Sequence, residues 1–96
     1  MKWSSVLAWR IEFKPEAMDE LGQLDRVVQR RIIKVLRERI APLDDPRSLG
    51  QPLTGKELGQ FWKYRMGDYR VICSIRDDVV TILVVRIGHR REVYRR

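Results

Sequence analysis

A chain of 96 residues has room for one hydrophobic core and not for two, so a single domain spanning residues 1–96 is expected. Apolar residues make up 44% of it, a globular composition that excludes a disordered chain. The formal net charge of +7 points to a polyanionic partner, and the surplus is uneven: residues 61–96 hold nine Lys/Arg against four Asp/Glu, residues 1–60 eleven against nine.

Met1 to Ser5 reads as a loose start, and Arg10 and Glu12 interrupt the apolar residues before they could act as a signal peptide. Leu7, Trp9, Ile11 and Phe13 alternate with polar or small residues, the pattern of a half-buried strand. Pro15 suits the first turn of a short helix that Gly22 ends, with Glu16, Asp19 and Glu20 near its positive end and Ala17, Met18 and Leu21 facing inward. A second helix is predicted from an Asp25 N-cap to Ile40, closed by Pro42. Leu24, Val28, Ile32, Val35, Leu36 and Ile40 form its buried stripe; Arg26, Arg30, Lys34 and Arg37 form a solvated outer face. From Leu43 to Gly59 the composition turns to Pro, Gly, Asp and Ser, predicting a loop with a short turn that Leu49, Leu53 and Leu58 pin to the core.

Phe61 to Ile75 reads as a hairpin turning at Gly67-Asp68, because glycine accepts φ > 0 and aspartate bonds back to its own backbone. Period-two alternation puts Trp62, Tyr64 and Met66, with Tyr69, Val71, Cys73 and Ile75, on a core face. Lys63 and Arg65, with Arg70, Ile72 and Ser74, take the other face. A second two-residue turn at Asp77-Asp78 leads to Val79–Ile87, whose unbroken apolar character predicts a central strand covered on both sides. Arg90 to Tyr94 reads as a tail strand or one helical turn. The expected architecture is α+β: a two-helix hairpin packed on a small, mostly antiparallel four-stranded sheet, in the order β-α-α-β-β-β.

Cys73 stands alone, which excludes an internal disulfide and a thiolate cluster, and its core-face parity makes it a packed thiol. With one histidine and scattered carboxylates no metal site is expected, and no phosphate-binding loop or nucleophile elbow occurs. No cofactor is implied. No run approaches the roughly 18 apolar residues of a membrane span. The remaining candidates are Lys63, Arg65, Arg70, His89, Arg90, Arg91 and Tyr94. One reading makes them a basic surface that keeps the protein soluble. The other makes them an RNA site, with Lys63, Arg65, Arg70, His89 and Arg91 as RNA contacts. Lys63, Arg65 and Arg70 share a sheet face, and the last strand delivers Arg90 and Tyr94 beside them; arginine grips phosphate and tyrosine stacks on a base.

The stretches WRIEFKPEAMDELGQL, PLTGKELGQFWKYRMGDYRVI and VVRIGHRREVY resemble the RelE branch of the RelE/ParE toxin superfamily over nearly the whole chain. The resemblance implies a cytoplasmic toxin of a type II toxin–antitoxin pair, an mRNA interferase that cuts mRNA in the ribosomal A site and so inhibits translation. Its implied partners are a cognate antitoxin, in a toxin–antitoxin hetero-oligomer, and the ribosome with its mRNA. Carried over by position, the catalytic residues are Lys63, Arg65, Arg70, Arg90 and Tyr94. Where that branch has a second lysine this chain has Arg65, a poor proton acceptor because it stays charged. The implied reaction is metal-free attack of a ribose 2′-OH on the adjacent phosphorus. Lys63 is the candidate base, Arg65 and Arg70 the phosphate holders, Arg90 the leaving-group residue and Tyr94 the residue orienting the nucleophile. Two other functions share the expected fold: a ParE-like gyrase inhibitor without nuclease activity, and a non-catalytic nucleic-acid-binding module.

Overall fold

The computed structural model describes residues 8–53 and 60–89. The start at Met1–Ser5, Leu7, Leu58 and the tail from Arg90 to Tyr94 lie outside the described residues. The strand expected from Leu7 is β1, Arg10–Phe13, and Pro15 opens α1, Pro15–Gly22. Asp25 stands at the N-cap of α2, Arg26–Val35, but its side chain accepts no capping hydrogen bond. Leu36–Ile40 then continues as a π turn, closed by the Ala41 amide bonding the Leu36 carbonyl at 2.8 Å. A 3-10 turn at Pro46–Leu49 leads into β2, Gln51–Pro52. The hairpin forms as expected, as β3, Phe61–Met66, and β4, Tyr69–Arg76, and the described residues finish with β5, Thr81–His89.

The sheet has five strands and not the expected four, in the order β1-β5-β4-β3-β2. β1 runs parallel to β5 and the other pairs are antiparallel. The added strand is β2, two residues long and half proline, too short to show any alternation. The Asp77-Asp78 turn is a 3-10 turn over Asp77–Val79 with Val80 left-handed at φ 47°, so β5 starts at Thr81 and leaves Val79 and Val80 exposed.

One face of the sheet carries both helices. Ala17 and Leu21 of α1, Ile32 of α2, and Leu36 and Ile40 of the π turn pack on Tyr64, Met66, Val71, Cys73, Ile82, Val84 and Ile87. Full burial of each large aliphatic side chain contributes about 1.5–3 kcal/mol. Met18 is half-exposed, not inward, because one turn step takes it off the Ala17–Leu21 stripe. β5 is interior to the sheet, yet among the described residues only the helix side is covered by a layer; Leu83 and Val85 on it stay half-buried. On the open face Leu53, Ile72 and Phe61 make a smaller apolar cluster.

Two contacts turn the Pro46–Leu49 segment into a rigid wall beside the sheet. Buried Tyr64 donates its hydroxyl to the Pro46 carbonyl at 2.8 Å, and burial pushes its phenol far above the ordinary value, so it remains a neutral donor. A Cβ on Gly50 would come within 2.9 Å of the Tyr64 ring, so this approach requires glycine. On the other side Arg47 bridges Asp45, at 3.1 Å, and Asp77. Tyr64→Phe removes the donor to Pro46 and is expected to lower the unfolding free energy by about 1–2 kcal/mol, read by urea denaturation.

The Arg47 guanidinium hydrogen-bonds the Asp77 carboxyl and holds it below the usual carboxylate range. A depressed folded value means a contribution present above the unfolded value and lost as pH falls through the folded one. Asp77→Asn should therefore melt below wild type at pH 7, with the difference closing below about pH 4, on thermal melts across pH. A difference that grows on acidification would contradict this linkage.

Candidate functional site

The turn at Gly67, with φ 64°, sets the β3–β4 register. Arg65 pairs with Arg70, which pairs in turn with Gly88; the next row reads Gln51, Lys63, Ile72 and Arg86. Paired residues share a sheet face, so Lys63, Arg65 and Arg70 rise together on the side away from the helices. They line one cavity of ≈ 400 Å³ with Leu49 and Gln51. Arg65 is exposed, while Lys63 and Arg70 are half-buried. Among the described residues the cavity's lining is Leu49, Gln51 and these three cations. Gly88, next to Arg70, carries no side chain to fill the space above the strand. Beside the three cations on the same face lies the Leu53–Ile72–Phe61 cluster.

Near Gly88 the strand is bulged: Ile72 pairs with Arg86 but Cys73 with Val84, leaving Val85 as the extra residue. The bulge lets Val84 and Ile87, three apart, both enter the core. Glu20 of α1 clamps it. Its carboxylate accepts from the Ile87 amide at 2.8 Å and from Arg86 Nε at 3.0 Å, with Arg86 Nη2 at 2.9 Å. A helix residue thus holds the bulged part of β5 in place.

Lys63, Arg65 and Arg70 are brought together. His89 is not: beyond the bulge it pairs with Tyr69 and meets that ring edge-on, with centroids 5.8 Å apart. It lines a separate cavity of ≈ 270 Å³ with Glu20, Gln23 and Leu24, on the helix side. Arg90, Arg91 and Tyr94 lie outside the described residues. Cys73 is fully buried and its thiol is pushed up by burial, the state of a packed side chain and not of a nucleophile. Among the described residues no three His, Cys, Asp or Glu side chains converge, and no helix is long and apolar enough to cross a membrane.

Leu49 and Gln51 are site residues that the sequence reading missed. Leu49 was expected in the core, yet it is 51% exposed and stands at the cavity edge. Tyr64 and Pro46 hold the preceding turn against the sheet, and Leu53, not Leu49, supplies the anchor. What the cavity offers chemically is a set of fixed cations for a tetrahedral or pentavalent phosphate, with guanidinium forks matching pairs of its oxygens.

A family model described as the ParE toxin of the parDE type II toxin–antitoxin system matches residues 11–94. Toxin RelG of Mycobacterium tuberculosis is 36% identical over 52 residues, 54% of this chain; the match spans 59% of that protein's length. A chain of the RelBE2 toxin–antitoxin complex from the same organism is similar with a TM-score of 0.78 at 23% identity, covering 90% of this chain and 95% of that one. A free-state variant of the E. coli toxin RelE gives a TM-score of 0.67 at 24% identity, with 85% and 83% covered. An archaeal RelE–RelB complex from Pyrococcus horikoshii gives 0.64 at 22%, with 88% and 98% covered. These structural likenesses establish the shared α+β fold.

Proposed function

The chain belongs to the ParE toxin family of type II toxin–antitoxin systems, within the RelE/ParE superfamily, and from that premise we propose that it is an mRNA endonuclease acting on the ribosome. The observation that carries this reading is the convergence of Lys63, Arg65 and Arg70 on one cavity. A protein that worked only by covering another protein has no need for that set on a rigid sheet.

In the proposed reaction the ribose 2′-oxygen attacks the adjacent phosphorus and the bond to the 5′-oxygen breaks. The products are a 2′,3′-cyclic phosphate and a 5′-hydroxyl. Lys63 takes the 2′-OH proton as the base, and the departing 5′-oxygen takes up a proton from water. Arg65 and Arg70 hold the non-bridging oxygens as negative charge develops on them. Arg90 and Tyr94 keep the roles their sequence positions imply, at the leaving group and the nucleophile. Acid–base equipment this sparse gains most from a substrate already bent toward in-line attack, which is the reason to place the reaction on the ribosome. The partner that silences such a toxin is an acidic antitoxin with a helix in an apolar groove; two of the structural relatives are chains of toxin–antitoxin complexes.

The family model's own description favours a second reading, a ParE-like toxin that inhibits gyrase by protein contact. Both are tested by adding purified protein to translating ribosomes and to a gyrase supercoiling reaction. Wild type should cut the translated message, leave naked RNA largely intact and leave supercoiling unaffected. Arg70→Ala should melt within a few degrees of wild type and cut on the order of a hundredfold more slowly. An unchanged rate would remove Arg70 from the site, and inhibited supercoiling with intact message would select the second reading.

A further inference from the structure

The cation cavity does not end at Arg65. Leu49 and Arg65 also belong to a second cavity of ≈ 380 Å³, between the hairpin and the helical segment that ends at Ile40. Two more arginines, Arg31 of α2 and Arg39 of the π turn, stand on its rim. They lie about two turns apart along the helical segment, on the edge between its buried stripe and its solvated outer face. Arg31 is set against the hairpin, its Nη1 3.0 Å from where a Cβ on Gly67 would sit. The floor between them is apolar, made by Val35, Ile40 and Met66.

What sets this cavity apart is that its three arginines surround an apolar floor. No carboxylate lines it, and none of Arg31, Arg39 and Arg65 forms an ion pair among the described residues. Arg47 and Arg86, by contrast, are each neutralised by carboxylates. A ligand that suits both cavities needs negative charges at intervals and flat apolar groups between them. That combination describes a single strand of nucleic acid, with arginine on phosphate and the base face on aliphatic side chains. The volume lies within the range of about 300–1,000 Å³ that bound ligand groups occupy. Leu49, an exposed leucine between two basic cavities, then gains a function as the ridge over which the strand passes.

We propose that the Arg31–Arg39 cavity is a flanking-nucleotide subsite, seating the RNA strand next to the linkage held by Lys63, Arg65 and Arg70. The proposal rests on the RNA-cleaving reading above and names the part of the substrate beyond the cut. An acidic protein segment is the competing occupant. Its carboxylates would satisfy the arginines, but the continuity with the cleavage cavity through Arg65 favours RNA.

The test is equilibrium binding of a labelled RNA hexamer, 2′-O-methylated throughout so that it cannot be cut, by fluorescence anisotropy across a salt series. Three proteins are compared: wild type, Arg31→Ala/Arg39→Ala, and Arg26→Ala/Arg30→Ala. The last removes the same charge from the solvated outer face of α2, and neither residue lines either basic cavity. Loss of two phosphate contacts should flatten the plot of log affinity against log salt by about 1.4. That flattening is expected for Arg31→Ala/Arg39→Ala alone, with melting temperatures alike. Equal flattening by both double variants, or none, would overturn the subsite. Poly-glutamate binding lost in Arg31→Ala/Arg39→Ala with hexamer binding intact would overturn it in favour of a protein segment. Failure of the cleavage reading shows differently, as translated message left whole by a wild type that binds the hexamer with the steeper slope.

Discussion

The left-handed glycine at the hairpin turn, Gly67 with φ 64°, is the constraint from which the site follows. It joins β3 to β4 with no residue to spare, so Arg65 must lie opposite Arg70 and Tyr64 opposite Val71. A slip of one residue would exchange the two faces, taking Tyr64 and Met66 out of the core and driving the arginines into it. Burying an unpaired guanidinium costs several kcal/mol, so core packing and the placing of charge enforce the same register. The hydrophobic effect that stabilises the fold thereby also gathers Lys63, Arg65 and Arg70 on one side.

A sheet face alone is flat, and a site needs walls. The wall here is the Pro46–Leu49 turn with β2, tied to the sheet by Tyr64 on one flank and by Arg47 and Asp77 on the other. Gly50 is needed where this segment crosses the Tyr64 ring. Next to β4, β5 is bulged, and Glu20 from the helix layer clamps it there. Parts of the chain with no charge to offer the substrate thus determine the shape in which the charges are presented.

Much of this was legible in the residues. Alternation through FWKYRM and YRVICSI gave both strands and the cationic face, and the three- and four-residue spacing from Leu24 to Ile40 gave the packed helical stripe. Three features carry no such signal. Gln51–Pro52 is too short for a period, so its pairing with β3 emerges only from tertiary contact. β5 is apolar at nearly every position and so conceals its own parity; the bulge that turns His89 toward Tyr69 leaves no trace in composition. The π turn keeps Leu36 and Ile40 on the stripe, so the sequence reads as an uninterrupted α-helix while Arg39 is carried to the cavity rim. Arg31 and Arg39 sit at the margin of that helical pattern, where periodicity does not separate a solvated cation from one beside a cavity.

Membership of the toxin family and the cation cavity meet in one chemical claim, that the open sheet face holds a phosphodiester for attack by its own 2′-oxygen. The most direct measurement is the chemistry of the ends left on a message cut during translation by the purified protein. A 2′,3′-cyclic phosphate upstream and a 5′-hydroxyl downstream are predicted. A 3′-hydroxyl with a 5′-phosphate would mean that water or another nucleophile does the cutting, and would contradict the assignment of Lys63, Arg65 and Arg70.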